Sequence, residues 1–230
     1  MNAQLLGPVL LLVSATVAMA EVVLSPPGTD GWRALEFPKI PQHTRYEAVT
    51  SDGVAGVKAT SHCSASAFYV ALKGVDLSST PRLHWRWRIE QGLEVRNERG
   101  KPGDDFAARV YVMFRFDAEH ASLWERAVHA LGTKLYGDIV PGHAIDYVWS
   151  SHEPAGAAWD SPYSAASKMV SLGRGPHSEW SAVVVDVAAD YMKFFGQSAP
   201  PLLALGLMTD SDNTCQSAVA DYADFRFVGP

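Results

Sequence analysis

The chain has 230 residues with 19 basic and 25 acidic side chains, a formal net charge of −6 at pH 7. No stretch gathers the Lys and Arg that tracking a phosphate backbone requires, so nucleic acid is not an expected partner. With 47% hydrophobic residues, the length suits one large β domain or at most two small ones.

Residues 1–20 carry no charged side chain, contain the run Val9-Leu10-Leu11-Leu12-Val13 and end in Ala18-Met19-Ala20, the pattern of a secretory signal peptide. Gly7, Pro8, Ser14 and Thr16 interrupt it, so membrane insertion is not expected. The mature domain is then 21–230, periplasmic or secreted. Ser51-Asp52-Gly53 between two extended runs predicts a hairpin. Over 82–90 the residues alternate: Leu83, Trp85, Trp87 and Ile89 on one face, His84, Arg86 and Arg88 on the other. After a polar loop, 105–116 puts Phe106, Ala108, Val110, Val112, Phe114 and Phe116 on one face and Arg109, Tyr111 and Arg115 on the other. Leu123, Trp124, Ala127, Val128 and Leu131 recur at helical spacing. Strands are predicted again at 144–150, 167–172, 180–187, 202–208 and 219–228, with a short helix at 188–195. Short strands separated by turn signals predict an all-β fold, a two-sheet antiparallel sandwich with one or two inserted helices.

Four groups of residues could carry chemistry. Asp210-Ser211-Asp212-Asn213-Thr214 gathers oxygens that suit calcium, with Asp221 at the twelfth position of a calcium loop. Cys215 stands where that loop needs Gly, so a turn bonded to its own backbone is the preferred reading. Its surplus acceptors call for an outside donor, expected to be an arginine of a facing strand paired with Asp212. Asp104-Asp105 opens a strand. Paired carboxylates there could bind sugar hydroxyls, or Asp105 opposite Asp212 could act as acid and base. Arg86, Arg88 and Arg109 could line a groove for an anionic ligand, against ordinary solvent exposure of a sheet's outer face. In the aromatic group, Tyr147 and Trp149 share the parity of Ile145 and belong to the core, whereas Trp159 and Tyr163, in a loop beside Pro162, are the ligand candidates. No nucleophile elbow, zinc-protease or phosphate-loop motif occurs. Cys63 and Cys215 permit one disulfide in an oxidising compartment, and a strand cysteine can equally be a small buried apolar residue.

Leu83-His84-Trp85-Arg86-Trp87-Arg88, Gly103-Asp104-Asp105-Phe106-Ala107-Ala108-Arg109-Val110-Tyr111-Val112, Tyr147-Val148-Trp149-Ser150-Ser151 and Met208-Thr209-Asp210-Ser211-Asp212-Asn213-Thr214 together resemble the bacterial family catalogued as domain of unknown function 3047. The likeness runs from about Trp32 to Phe227 and includes Asp190-Tyr191 and Asp221-Tyr222-Ala223-Asp224-Phe225. It implies an exported jelly-roll-like domain similar to carbohydrate-binding modules, whose last strand often carries a Tyr-x-Asp pattern such as Tyr222-Ala223-Asp224, and it carries over no catalytic role. Cys63 and Cys215 differ from the usual family residues at those places, which implies that they arose as a pair. The functional expectation is a binding domain for a carbohydrate or other polar extracellular ligand, with Arg86, Arg88, Asp105, Arg109, Trp159, Tyr163 and Asp212 near the site and no cofactor, or calcium at Asp210, Asp212 and Asp221. The alternatives are a polysaccharide hydrolase or lyase using Asp105 and Asp212, and a structural domain using the same sheet face against another protein. The sequence sets no oligomeric state.

Overall fold

The computed structural model describes residues 20–119, 121–175 and 177–230. The expected signal peptide, apart from Ala20, lies outside them. Two sheets face each other. The first contains β1 (Glu21–Val23), β3 (Arg45–Ser51), β4 (Val54–His62), β6 (Arg82–Gln91), β11 (His177–Asp186) and β13 (Ser217–Val228), in the order β11-β6-β13-β4-β3 with β1 also beside β13. The second contains β2 (Trp32–Glu36), β5 (Ser66–Ala71), β7 (Ala108–Phe114), β8 (His143–Ser150), β9 (Ala158–Ser161), β10 (Ser164–Arg174) and β12 (Leu202–Met208), in the order β2-β5-β12-β7-β8-β10-β9. Helices α1 (Leu123–Tyr136) and α2 (Val187–Phe195) are inserted. The fold is the expected β-sandwich. Its pairs are antiparallel except β8 with β10, which run parallel.

Alternation builds the core between the sheets. Leu83, Trp85, Trp87 and Ile89 of β6 are buried against Ala108, Val110, Val112 and Phe114 of β7, Ile145 and Tyr147 of β8, and Leu205 and Leu207 of β12. Trp85 and Trp87 meet edge to face at 5.3 Å, a favoured arrangement of aromatic quadrupoles. The hairpin joining β3 and β4 turns at Asp52 and Gly53, whose φ angles are 52° and 76°. Positive φ at both central residues is what a tight hairpin of this hand demands, and Asp and Gly tolerate it. Helix α2 starts on an Asp186 cap that accepts from the Ala189 N–H at 2.9 Å and stops at Gly196 in the left-handed region.

Two expectations are corrected. The strand predicted over 105–116 begins only at Ala108, and Phe106 leaves the main core to pack with Val148, Trp159 and Met169 in a second cluster. Strands β1, β2, β5 and β9 were not predicted. They are short, between three and six residues, and small or polar residues among their apolar ones blur any period of two.

Candidate functional site

Strand register assembles the site. Met208 pairs with Arg109 across β12 and β7, so the residues that follow β12 lie beside those that precede β7. The Asp210 N–H donates to the Phe106 carbonyl at 3.1 Å, and Thr209 Oγ1 donates to that of Ala107 at 2.9 Å. From the opposite sheet, Tyr222 of β13 reaches through the core. Its hydroxyl donates to the Met208 carbonyl at 2.8 Å, accepts from the Arg109 N–H at 3.3 Å and lies 2.8 Å from Thr209 Oγ1. Burial holds that phenol protonated, raising its pKa above the ordinary tyrosine value.

Arg109 lies at the centre on the outer face of the seven-stranded sheet and is only 2% exposed. Its Nε and Nη2 donate to the two oxygens of Asp210 at 2.8 and 2.5 Å, and Nη1 reaches Asp104 Oδ2 at 3.4 Å and the Tyr111 hydroxyl at 3.1 Å. Nη2 also bonds the Asp104 carbonyl, and the guanidinium lies 4.5 Å over the Phe106 ring. This two-pronged geometry is what lets a charge pair remain buried. Burial pushes the Asp210 carboxyl up and Arg109 pulls it back. Burial likewise raises Asp104, whose Oδ1 is enclosed without a hydrogen-bond partner among the described residues.

Asp105 is fully buried and acts as a clamp. Oδ1 accepts from the N–H and Nδ2 of Asn213 at 3.2 and 2.9 Å, and Oδ2 accepts from the N–H and Oγ1 of Thr214 at 2.7 and 2.6 Å. The turn is held from its other side by the Cys63–Cys215 disulfide, the Ser211 N–H donating to the Ser64 carbonyl at 3.0 Å, and a 2.7 Å hydrogen bond between Ser61 Oγ and Ser211 Oγ.

Above this locked turn the surface opens. Tyr163 is 59% exposed, its hydroxyl 3.5 Å from Asn213 Oδ1, and the Lys101 ammonium lies 5.3 Å from its ring centroid. Asn213 is exposed and Asp212 is half-buried, its carboxylate within 4.8 Å of those of Asp105 and Asp210. Burial and then the charge of Asp105 raise the Asp212 pKa. Burial and then the charges of Asp104 and Asp212 raise the Tyr163 pKa, which marks a negative potential at the rim.

Asp105, Arg109, Tyr163 and Asp212 thus come together. Arg86 and Arg88 do not join Arg109. Alternation with Trp85 and Trp87 places them on the outer face of the other sheet, where Arg86 pairs with Asp224 and Arg88 with Asp221, Asp52 and Glu90. The arginine expected for the acidic turn is Arg109, but its partner is Asp210 rather than Asp212. Trp159 is in strand β9 rather than a loop, packed on Phe106 with the Arg99 guanidinium 5.3 Å over its ring. Asp221, bonded to Arg88, leaves the set imagined for calcium.

The carboxylates that do converge, Asp105, Asp210 and Asp212, fit a cation poorly. Four donors fill the four lone-pair positions of Asp105, and three donors occupy Asp210. The same saturation leaves Asp105 no open lone pair to turn toward Asp212. Sequence reasoning missed Asp146 and Glu98. Asp146 is buried on the sheet face with Arg109, accepts from Ser167 Oγ at 2.6 Å, and is pushed by burial up to about 7. Its signal is one acid amid the apolar run Ala144-Ile145-Asp146-Tyr147-Val148. Glu98 is buried, accepts from Ser150 Oγ and from the N–H groups of Ser151, His152 and Glu153, and ties the loop ahead of β7 to the end of β8.

Residues 30–226 match the model of a family described as protein of unknown function (DUF3047). The chain belongs to that family. No curated protein sequence matches it. Solved structures similar to this DUF3047 chain include a family 11 carbohydrate-binding module from Clostridium thermocellum in complex with a β-1,3-1,4-mixed-linked tetrasaccharide, at 9% identity and TM-score 0.47, covering 93% of this chain and 98% of that one. A family 30 carbohydrate-binding module of a cellulosomal cellulase of the same organism aligns at 12% identity and TM-score 0.46, covering 90% and 96%. A cellulase derived from Cel12A of Rhodothermus marinus aligns at 10% and 0.46, covering 92% and 100%.

Proposed function

We propose that this protein is an exported binding domain that takes a carbohydrate at the rim formed by Tyr163, Asp212 and Asn213. The observation that carries this reading is an exposed tyrosine ring standing beside a carboxylate and an amide on a turn that cannot give way. A sugar ring offers one apolar face and a fringe of hydroxyls. An aromatic plate with planar side chains at its edge answers both. The clamp by Asp105, the Arg109–Asp210 pair and the disulfide fix the turn before any ligand arrives, so little ordering cost is left for binding. Export accords with the disulfide and with the leader-like sequence. Among the described residues no helix is long and apolar enough to cross a membrane.

Calorimetry with soluble oligosaccharides tests the reading. Tyr163→Ala should weaken binding by about 10-fold or more, the loss of one stacking contact, and leave the melting temperature unchanged. Failure of every oligosaccharide to bind, or an unweakened Tyr163→Ala variant, would overturn it and favour a protein partner at the same rim.

A further inference from the structure

We propose that the rim selects saccharides carrying amino groups, held as ammonium ions in the field of Asp104, Asp105 and Asp212, and turns away uronic acids; the inference rests on the binding reading above. Four carboxylates, Asp104, Asp105, Asp210 and Asp212, crowd this end of the sheet. Arg109 is spent internally on Asp210 and Asp104, which leaves the others in excess. Three observations point outward from that excess. Asp104 is more than nine-tenths buried, yet its Oδ1 has no hydrogen-bond partner among the described residues, and its charge is the largest acting on the Tyr163 hydroxyl. Asp212, the half-buried carboxylate, feels the repulsion of Asp105 more strongly than the pull of Arg109, and Asp104 adds to that repulsion. The exposed Lys101 side chain already lies over the Tyr163 ring, so the place where a ligand's cation would rest attracts one from the chain itself.

A cation over a tyrosine face gains from the ring quadrupole and from the carboxylates behind it. An anionic sugar would have to enter the same field against Asp212 and the carboxylates behind it, with the single ammonium of Lys101 to set against them. Lys101 competes with the ligand's ammonium, and removing its charge should favour the amine further.

The test compares three probes of similar length on the whole protein by calorimetry: a glucosamine oligomer at a pH where its amines are charged, the same oligomer fully N-acetylated, and an oligogalacturonate. The glucosamine oligomer should bind about 10-fold more tightly than its acetylated form, as expected for one charge-assisted contact, and the galacturonate should not bind. Asp212→Asn should erase that preference, weakening the glucosamine oligomer more than its acetylated form until the two bind alike. Lys101→Gln should widen it. Equal binding of charged and acetylated oligomers, or preferred binding of the galacturonate, would overturn the inference and leave the carbohydrate reading standing. If none of the three binds, and neutral glucans also fail, both fall together.

Discussion

Replacing Asp210 with Asn tests what holds the site together. The substitution keeps the shape of the side chain and removes its charge. In the native protein Arg109 donates two charge-assisted hydrogen bonds to Asp210, at 2.8 and 2.5 Å, and only a long one of 3.4 Å to the carboxylate of Asp104. Each charged hydrogen bond contributes about 1.5–3 kcal/mol. The amide can keep one of them through its oxygen, but it turns an N–H₂ group toward the guanidinium. The buried Arg109 cannot shed its proton, so its charge is left with Asp104 alone. The expected cost is about 3–5 kcal/mol, the range for breaking a buried pair from one side. Urea denaturation followed by tryptophan fluorescence measures it, as a lower midpoint at unchanged m. Asp212→Asn is the control. Its charge is opposed by Asp105, so neutralising it should cost less than about 0.5 kcal/mol or stabilise slightly. A loss below about 1 kcal/mol for Asp210→Asn, or equal losses for the two variants, would refute the pairing.

Asp146 gives a pH signature. Its carboxyl rises from 3.8 to about 7 on folding, chiefly through burial, so between those values the folded state binds the extra proton and stability falls as pH rises. Asp146→Asn should flatten that slope in pH-dependent melts and be more stable than the native protein above pH 7, by up to about 4 kcal/mol; an unchanged slope would show that the group is already ionised at low pH. Trp87→Ala should cost about 3–5 kcal/mol in the same urea assay, because the ring is fully buried between the sheets. Cys215→Ser should cost about 2–5 kcal/mol, and intact mass under non-reducing conditions should show no free thiol in the native protein. Calcium and a chelator should leave the melting temperature alone, since donors already occupy Asp105 and Asp210; a fall of several degrees on chelation, reversed by calcium, would reverse that argument.

How far the sequence revealed the site depended on what kind of contact was involved. Alternation within one strand is local, and it placed Trp85 and Trp87 inside and Arg86 and Arg88 outside. It says nothing about which sheet a strand joins, and so Arg86 and Arg88 were grouped with an Arg109 that faces the other way. The surplus of oxygens in 210–214 correctly demanded an arginine, a matter of donor and acceptor counts. Choosing Asp210 over Asp212 needed the register of β12 on β7, which no local pattern contains. The burial of Asp146 and the four donors on Asp105 also come from pairings across long sequence separations. Trp159 was misplaced because a four-residue edge strand looks like a loop when Pro, Gly and Ala surround it.

The order of strands has a consequence for how the polypeptide assembles. Strand β13 lies between β6 and β4, and β12 between β5 and β7, so the middle of each sheet is supplied by segments from the last thirty residues. Until residue 202 has emerged β5 and β7 each lack an inner neighbour, and until residue 217 has emerged so do β4 and β6, and their open edges invite pairing with other chains. Neither layer can close early, and the final closure brings together residues far apart along the chain, a slow kind of search. A nascent chain of this topology therefore stays open through most of its synthesis, and losing β13 would remove the middle of one sheet rather than trim its edge.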